Sequence, residues 1–350
     1  MHSAAATSLP IVAIDLNQEC VSALLHRRRW QTRHRRITHA KLLDFFTNRS
    51  KSLVAMEACG SAHYWARVLM ALGHEVRLLP AQRVKSFVQR DKTDAKDAHA
   101  ICVACQQPHI KSVPVKSQQQ QAWLMLHRRR EQLKKQRIMF SNAVRGHLSE
   151  FGIVLPEGFE RLCRTLPDAL VRVEEAGVPR EVIEGVQCDM QLIAHLQQEI
   201  ERIERKLAVI CKQSQLMLLL MGIPGIGSIT ASAIVASAPE MLHFASARQF
   251  VSWLGLAPAQ TGTGGKTRQL GLSKRGNSYL RCLLMHCARS LAQHPERSRW
   301  LTELMQRRPR NVAVAALAGK LARTIWAVLT RGEPFAANKW NPCEGAAAAA

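Results

Sequence analysis

The sequence predicts a mixed α/β domain followed by a mostly helical remainder, and three observations carry that reading. Up to about residue 115, short apolar runs alternate with helical patterns. After Pro114 a long, strongly basic helical pattern begins. Beyond it, helical patterns are separated by Gly- and Pro-rich turns.

The candidate strands are 10–16, 19–26, 33–37, 52–57 and 75–80, and helical patterns fill 39–48, 61–73 and 93–106. This β-β-β-α-β-α-β-α order argues for one mixed sheet flanked by helices, in a domain spanning residues 8–115. Two of the apolar runs end on an acid: Ile11-Val12-Ala13-Ile14-Asp15 and Leu53-Val54-Ala55-Met56-Glu57. Open α/β sheets place their sites at strand carboxyl ends. Asp94 and Asp97 open the 93–106 helix, and residues three apart on a helix share a face. An acid at the end of the first strand, another at the end of a later one and a helical pair form the ribonuclease-H-like pattern. Carboxylates so gathered suit hard, oxygen-loving Mg²⁺ (or Mn²⁺), and two such ions can clamp the attacking and leaving oxygens of a phosphodiester. Asp94 alone also suits a helix cap.

The second segment, 116–212, is expected to hold a basic helix and a coiled coil. From Gln118 to about Phe151, Trp123, Leu126, Leu133, Phe140, Val144 and Leu148 form an apolar stripe. The opposite face holds His127, Arg128, Arg129, Arg130, Lys134, Lys135 and Arg137, a run that suits phosphates. Within 189–212, Leu192, Leu196, Ile200, Ile203, Leu207 and Ile210 recur at four and three. That spacing is a coiled-coil seam able to pair two chains, or to pack within one.

The third segment, 213–340, opens on Met221-Gly222-Ile223-Pro224-Gly225-Ile226-Gly227, and helical pattern resumes at Ser228. Gly and Pro forbid a continuous helix there, so a helix-hairpin-helix-like turn is expected. Gly225 and Gly227 would offer backbone amides to a nucleic-acid phosphate. A Gly- and Thr-rich loop follows, from Gln260 through Thr261-Gly262-Thr263-Gly264-Gly265-Lys266-Thr267-Arg268 to Ser273-Lys274-Arg275-Gly276-Asn277. Its glycines permit close approach to a ligand, and Lys266, Arg268, Lys274 and Arg275 add positive charge. The spacing is not that of a Walker A loop, which argues against nucleotide hydrolysis. Helices are expected over 277–293 and 310–331.

Charge points to the partner. Forty-nine Lys and Arg against 26 Asp and Glu give a net charge of +23 in 350 residues, with a pI near 10.3. Nucleic acid is the usual polyanion for such a chain. Six arginines (Arg27, Arg28, Arg29, Arg33, Arg35 and Arg36) flank Trp30 at an expected hairpin; cations around an aromatic suit stacking on an unpaired base. Membrane is the rival, but no apolar run of about 18 residues is evident, and the first ten residues lack the features of a secretory signal. The ten cysteines are scattered; Cys102 and Cys105 read as helix packing, and mostly unpaired thiols fit a reducing cytoplasm.

Taken in order, a set of motifs resembles the transposases of the insertion sequence 110 family, relatives of the pilin-gene DNA invertases. They are Ala13-Ile14-Asp15, Met56-Glu57-Ala58-Cys59-Gly60, Lys92-Thr93-Asp94-Ala95-Lys96-Asp97-Ala98, Ile223-Pro224-Gly225-Ile226-Gly227, Gly255-Leu256-Ala257-Pro258, and Gly264-Gly265-Lys266 followed by Ser273-Lys274-Arg275-Gly276. The resemblance implies a Holliday-junction-resolvase-like domain with an Asp-Glu-Asp-Asp metal site at Asp15, Glu57, Asp94 and Asp97. It implies a C-terminal transposase domain joined by a coiled coil, and a homo-oligomer in which metal site and nucleophile meet across subunits. It implies a structured guide RNA from the element that pairs with donor and target double-stranded DNA. Where family members commonly read Ser-Ser-Gly-Gly-Lys, with the second Ser as nucleophile, this chain reads Gly262-Thr263-Gly264-Gly265-Lys266. Thr263 therefore stands at the nucleophile's place. Two other readings stay open on the residues: a junction nuclease acting through metal-activated water, and a nucleic-acid-binding regulator without chemistry.

Overall fold

A computed structural model describes residues 9–16, 20–27, 31–88, 93–175, 177–238, 241–264 and 266–336. Contacts divide the chain into two units, Met1–Gln118 and Gln119–Ala350. The basic and coiled-coil helices, expected as a separate segment, cluster with the C-terminal part.

The first unit contains strands β1 (Ile11–Leu16), β2 (Cys20–Arg27), β3 (Gln31–Thr38), β4 (Leu53–Glu57) and β5 (Glu75–Leu79). Helices α1 (His39–Thr47), α2 (Ala62–Ala71), α3 (Ala81–Val84) and α4 (Asp94–Cys105) accompany them. The sheet order is β3-β2-β1-β4-β5. β1, β2 and β3 form an antiparallel meander, and β4 and β5 add in parallel on the other side of β1. Alternation along the strands decides which side each residue faces. Val12, Ile14, Val54 and Met56 lie under Leu42 and Phe46 of α1 and Ala62, Ala66 and Leu69 of α2. Ala13, Leu53 and Ala55 face Ala98, Ile101, Cys102 and Cys105 of α4. β1 and β4 are buried on both faces, which is why they read as continuous apolar runs. Buried His74 ties the two ends of the α1 crossover: Ser52 N–H donates to its Nδ1 at 3.2 Å, which leaves Nε2 to donate to the Phe46 carbonyl, also at 3.2 Å.

The second unit begins with α5 (Gln118–Ser149), α6 (Phe159–Glu175) and α7 (Arg180–Lys212). The expected stripe of α5 is the buried one: Leu133, Val144 and Leu148 are inside, with Trp123, Leu126 and Phe140 packed beside them. The seam of α7 differs from expectation. Ile193, Leu196, Ile200, Ile203, Leu207 and Cys211 are buried, whereas Leu192 is 42% exposed. Leu196, Ile200, Ile203 and Leu207 pack against Leu133 of α5 in the same chain. The heptad spacing is thus satisfied by an intrachain helix pair. Helix α6 was not expected; it closes the far end of the pair by burying Leu162, Leu166 and Ala169 against Val144 and Leu148.

The C-terminal part holds α8 (Gln215–Met221), α9 (Ser228–Ser237), α10 (Ala247–Trp253), β6 (Pro258–Thr263), β7 (Lys266–Leu272), α11 (Ser278–Leu291), α12 (Arg299–Arg307) and α13 (Arg310–Arg331). Its core centres on α13, where Ala313, Val314, Leu317, Ala318, Leu321, Ala322, Ile325 and Val328 are all buried. The expectation of no membrane-length apolar run needs correcting here. α13 is long and apolar enough to cross a bilayer by length and composition, but half of its apolar window is buried inside the protein, as in a central core helix.

Candidate active site and nucleic-acid interface

Register brings the first two acids together. Ile11 to Ile14 pair with Leu53 to Met56 in parallel, so Asp15 and Glu57 are the next residues along two neighbouring strands. They share a side with Ala13 and Ala55, the side that α4 covers. Both are half-buried. The course of α4 follows from its last turn, where the Cys105 thiol lies beside Arg77 and Glu75, at the start of β5. The helix therefore runs against the parallel strands. Its 12 residues extend about 18 Å at 1.5 Å per residue, enough to carry its first turn to their carboxyl ends. Thr93 is the N-cap, its hydroxyl accepting from Lys96 N–H at 3.4 Å, so Asp94 does not serve as the cap. Asp94 and Asp97 occupy the first turn, half-buried. Asp15 and Glu57 thus end neighbouring strands on the side that α4 covers, and Asp94 and Asp97 lie in that helix's first turn. Among the described residues, no three acidic, His or Cys side chains converge closely enough to enclose a metal ion. The donor set is nonetheless hard oxygen throughout, the chemistry that Mg²⁺ and Mn²⁺ take.

Cys102 and Cys105, on the same helix, are buried in the sheet-facing core, and burial pushes the Cys102 thiol up to about 11. They pack, as expected, and offer no thiolate. His63 is engaged structurally: its Nδ1 accepts from Lys116 N–H at 3.2 Å, while Arg67 donates to the Lys116 carbonyl at 2.7 Å.

The arginine hairpin is present, with Arg27 opposite Gln31 across β2 and β3. Arg28, Arg29 and Trp30 lie outside the described residues. Arg35 and Arg36 are exposed, with the Arg35 guanidinium 6.0 Å from the centre of the Phe45 ring.

On α5 the expected basic face divides. Arg128, Arg129 and Lys135 are exposed. Arg130 is turned inward, its side chain only 12% exposed and paired with Glu204 at 2.6 Å and Glu131 at 2.8 Å. That pairing commits Arg130 to holding α5 on α7, not to phosphate. Arg137 likewise donates to Gln197 and sits 4.2 Å from the Phe159 ring centre. His127 is fully internal, at 1% exposure. Its Nδ1 lies 3.0 Å from the Tyr279 hydroxyl and its Nε2 3.1 Å from Ser232 Oγ. Burial and nearby Arg130 hold the imidazole down at about 4, and burial first of all pushes the phenol up to about 12. Both groups are neutral at physiological pH and tie α5, α9 and α11 together.

The turn between α8 and α9 is built on Ile223 and Ile226, which are buried, while Pro224, Gly225 and Gly227 are exposed. Gly225 has φ +79°, and an added Cβ would lie 2.9 Å from Leu291 Cγ, so glycine is required on two counts. Gly227 is the extended residue before α9, and its exposed backbone stands at that helix's positive end.

The Gly- and Thr-rich segment is not a loop. It is a two-stranded antiparallel hairpin of β6 and β7. Gly264, which follows β6, has φ +56°, the region that tight hairpin connections favour; the Gly264-Gly265 pair was the signal in the sequence for this hairpin. Thr263 pairs with Lys266, Gly262 with Thr267, Thr261 with Arg268 and Gln260 with Gln269. Opposite residues share a face, so Thr261, Thr263, Lys266 and Arg268 stand on one side, all exposed. At the base, Ala257 and Leu272 pack on the C-terminal core. The motifs 255–258 and 273–276 meet there: Ser273 N–H donates to Ala257 O at 2.9 Å and Lys274 N–H to Gly255 O at 3.2 Å. Gly276 (φ +135°) has no room for a side chain, since a Cβ would lie 2.1 Å from Trp253 O. Lys274 (φ +54°) and Arg275 are exposed beside this crossing.

A mixed five-stranded sheet with acids ending two neighbouring strands, in a chain of net charge +23, has the make-up of an enzyme acting on nucleic acid. Comparison with known proteins makes the class specific. The sequence profile described as "Transposase IS116/IS110/IS902 family" matches residues 217–303, and the "Transposase" profile of the DEDD type from the same group matches residues 12–153. The chain is 44% identical over 302 residues to the "Probable family 20 transposase" of Pseudomonas aeruginosa, covering 85% of this chain and 89% of that one. It is 35% identical over 336 residues to the "Transposase for insertion sequence element IS1328" of Yersinia enterocolitica, covering 94% and 99%. It is 34% identical over 306 residues to the "Transposase for insertion sequence element IS1111A" of Coxiella burnetii, covering 86% and 84%. The chain belongs to the IS116/IS110/IS902 family of transposases.

Proposed function

We propose that this transposase cuts and rejoins the DNA of its element through a covalent protein–DNA intermediate, guided by a structured RNA encoded in the element. The observation that carries the reading is the hairpin face, which presents the Thr263 hydroxyl at its tip directly across from Lys266. Thr263 Oγ attacks the scissile phosphorus, its proton passes to solvent, and the leaving strand departs with its oxygen protonated to a hydroxyl. Attack by a hydroxyl of the partner DNA then reverses the step and releases Thr263, with no net change in bond count or oxidation state. Lys266 and Arg268 balance the phosphate charge. The extra methyl of threonine narrows its rotamers relative to serine without removing the nucleophilic oxygen.

Asp15, Glu57, Asp94 and Asp97 would hold a divalent ion, Mg²⁺ or Mn²⁺, which when bound stabilises negative charge on the transferring phosphoryl group. The net charge of +23, with Arg128, Arg129, Lys274 and Arg275 exposed, supports simultaneous binding of DNA and RNA. The protein acts as a homo-oligomer; because the α7 seam is internal, the subunit contact lies elsewhere.

The test incubates the protein with Mg²⁺, element-end DNA and the element's non-coding RNA, and looks for a covalent adduct. An adduct lost in Thr263→Ala and kept in Thr263→Ser is expected. Cleavage with no adduct would assign the chemistry to water, and omission of the RNA without effect would remove the guide.

A further inference from the structure

We propose that the β6–β7 hairpin is a two-rung phosphate ladder, holding two successive phosphates of one DNA strand, the second of them on Arg268 and Thr261. The inference rests on the reading of Thr263 as the residue nearest the scissile phosphate.

The ladder follows from register. Thr263 and Lys266 form one rung, and Thr261 and Arg268 form the next on the same face. Residues directly opposite each other have Cβ atoms about 4.5–5.5 Å apart, so each rung sets one hydroxyl beside one cation. Successive rungs on one face are two residues apart, about 6.8 Å at 3.4 Å per residue. That step is of the same order as the step between neighbouring phosphates along a nucleic-acid strand. A two-stranded ribbon with this repeat can lie along a nucleic-acid backbone.

Charge is segregated by face. The opposite side of the hairpin carries Gln260, Gly262, Thr267 and Gln269, none of them ionised. At Gly262 a Cβ would lie 2.8 Å from Lys266 O, so that rung of the far side carries only the Thr267 side chain. Between Glu240 and Glu296 the sequence has no Asp or Glu at all, so no acid within this stretch competes with phosphate for Arg268. An arginine there offers a planar fork that a phosphate can accept bidentately, where Lys266 offers a point charge. The division of labour assigns Lys266 to the reacting phosphate, whose geometry changes, and Arg268 to the neighbour, whose geometry does not. Arg268 is thus a positioning residue.

The experiment measures binding of the full chain, with Mg²⁺ and the element RNA, to element-end DNA carrying one neutral methylphosphonate at each position in turn. Every position is tested with the wild type, Lys266→Ala, Arg268→Ala and the opposite-face control Gln269→Ala. A methylphosphonate that removes the contact of a given cation should weaken wild-type binding roughly tenfold and have no further effect once that cation is gone. Lys266→Ala should become insensitive at one phosphate, Arg268→Ala at its immediate neighbour, and Gln269→Ala at none. Arg268→Lys should recover part of the loss. Insensitivity of both variants at the same phosphate, at phosphates more than one step apart, or at no phosphate overturns the ladder. The readout is binding, so it is independent of the nucleophile. Coupling without any adduct in the wild type would overturn the Thr263 reading and leave the ladder standing; an adduct without coupling would do the reverse.

Discussion

The α-carbon of Gly276 faces the carbonyl oxygen of Trp253 so closely that a Cβ on it would lie 2.1 Å from that oxygen. The contact crosses the chain at the base of the β6–β7 hairpin, where Asn277 N–H also donates to Trp253 O at 3.3 Å. Gly276→Ala should therefore force the crossing apart and cost roughly 2–4 kcal/mol, combining a clash with a φ that L side chains avoid. Gly271→Ala, in the same hairpin but with nothing within 4 Å of its Cβ, should change stability by less than about 0.5 kcal/mol. Urea unfolding of both variants checks the pair, and equal midpoints would contradict the crossing.

Asp15 and Glu57 put two carboxylates side by side at the ends of adjacent strands. Like charges so placed repel, so Asp15→Asn or Glu57→Gln should leave stability unchanged or raise it by less than about 1 kcal/mol. The same variants should reduce metal-dependent strand cleavage by about two to three orders of magnitude. A chelator should abolish cleavage without altering the circular dichroism spectrum. If either variant unfolded the domain, its carboxylate would be structural.

His127 makes stability depend on pH in a set direction. Its folded value of about 4 lies below the unfolded value of about 6.5. The unfolded chain therefore takes up the proton first as pH falls. Stability from this residue is intact above about pH 6.5, declines between there and about 4, and levels off below. The loss amounts to at most about 3–4 kcal/mol at 1.36 kcal/mol per unit. Thermal melts from pH 7.5 to 4 should show a shallower slope in His127→Gln; an unchanged slope would assign the acid sensitivity to other groups.

The α7 seam packs within the chain, so Ile203→Ala should behave as a core truncation, costing about 2–4 kcal/mol while leaving the mass in solution unchanged. Sedimentation and denaturant titration together decide this. Dissociation of an oligomer at unchanged stability would place the seam between chains.

Most of the first unit was legible because both of its central strands are buried on each face and read as apolar runs ending in Asp15 and Glu57. The helical stripe of α5 was legible for the same reason of periodicity. Three features were not. The partner of the α7 heptads, α5, lies more than 60 residues away in the chain, and spacing alone does not say which helix fills a seam. Arg130 and His127 sit among exposed cations in the sequence, yet they turn inward because Glu204, Ser232 and Tyr279 await them from distant helices. The hairpin was hidden because Thr, Gly, Gln, Lys and Arg give strands no apolar alternation; only the Gly-Gly connection marked it.

Helix α13 has a consequence for synthesis. It supplies the middle of the C-terminal core, yet it follows α8 to α12 in the chain. Chains emerge amino end first, so α8 to α12 must wait with their apolar sides open until Arg331 has been added. A gene copy interrupted upstream of codon 310 would yield the arginine-rich helices without the core that seats the hairpin. Such a product, lacking its core, should be cleared by proteases.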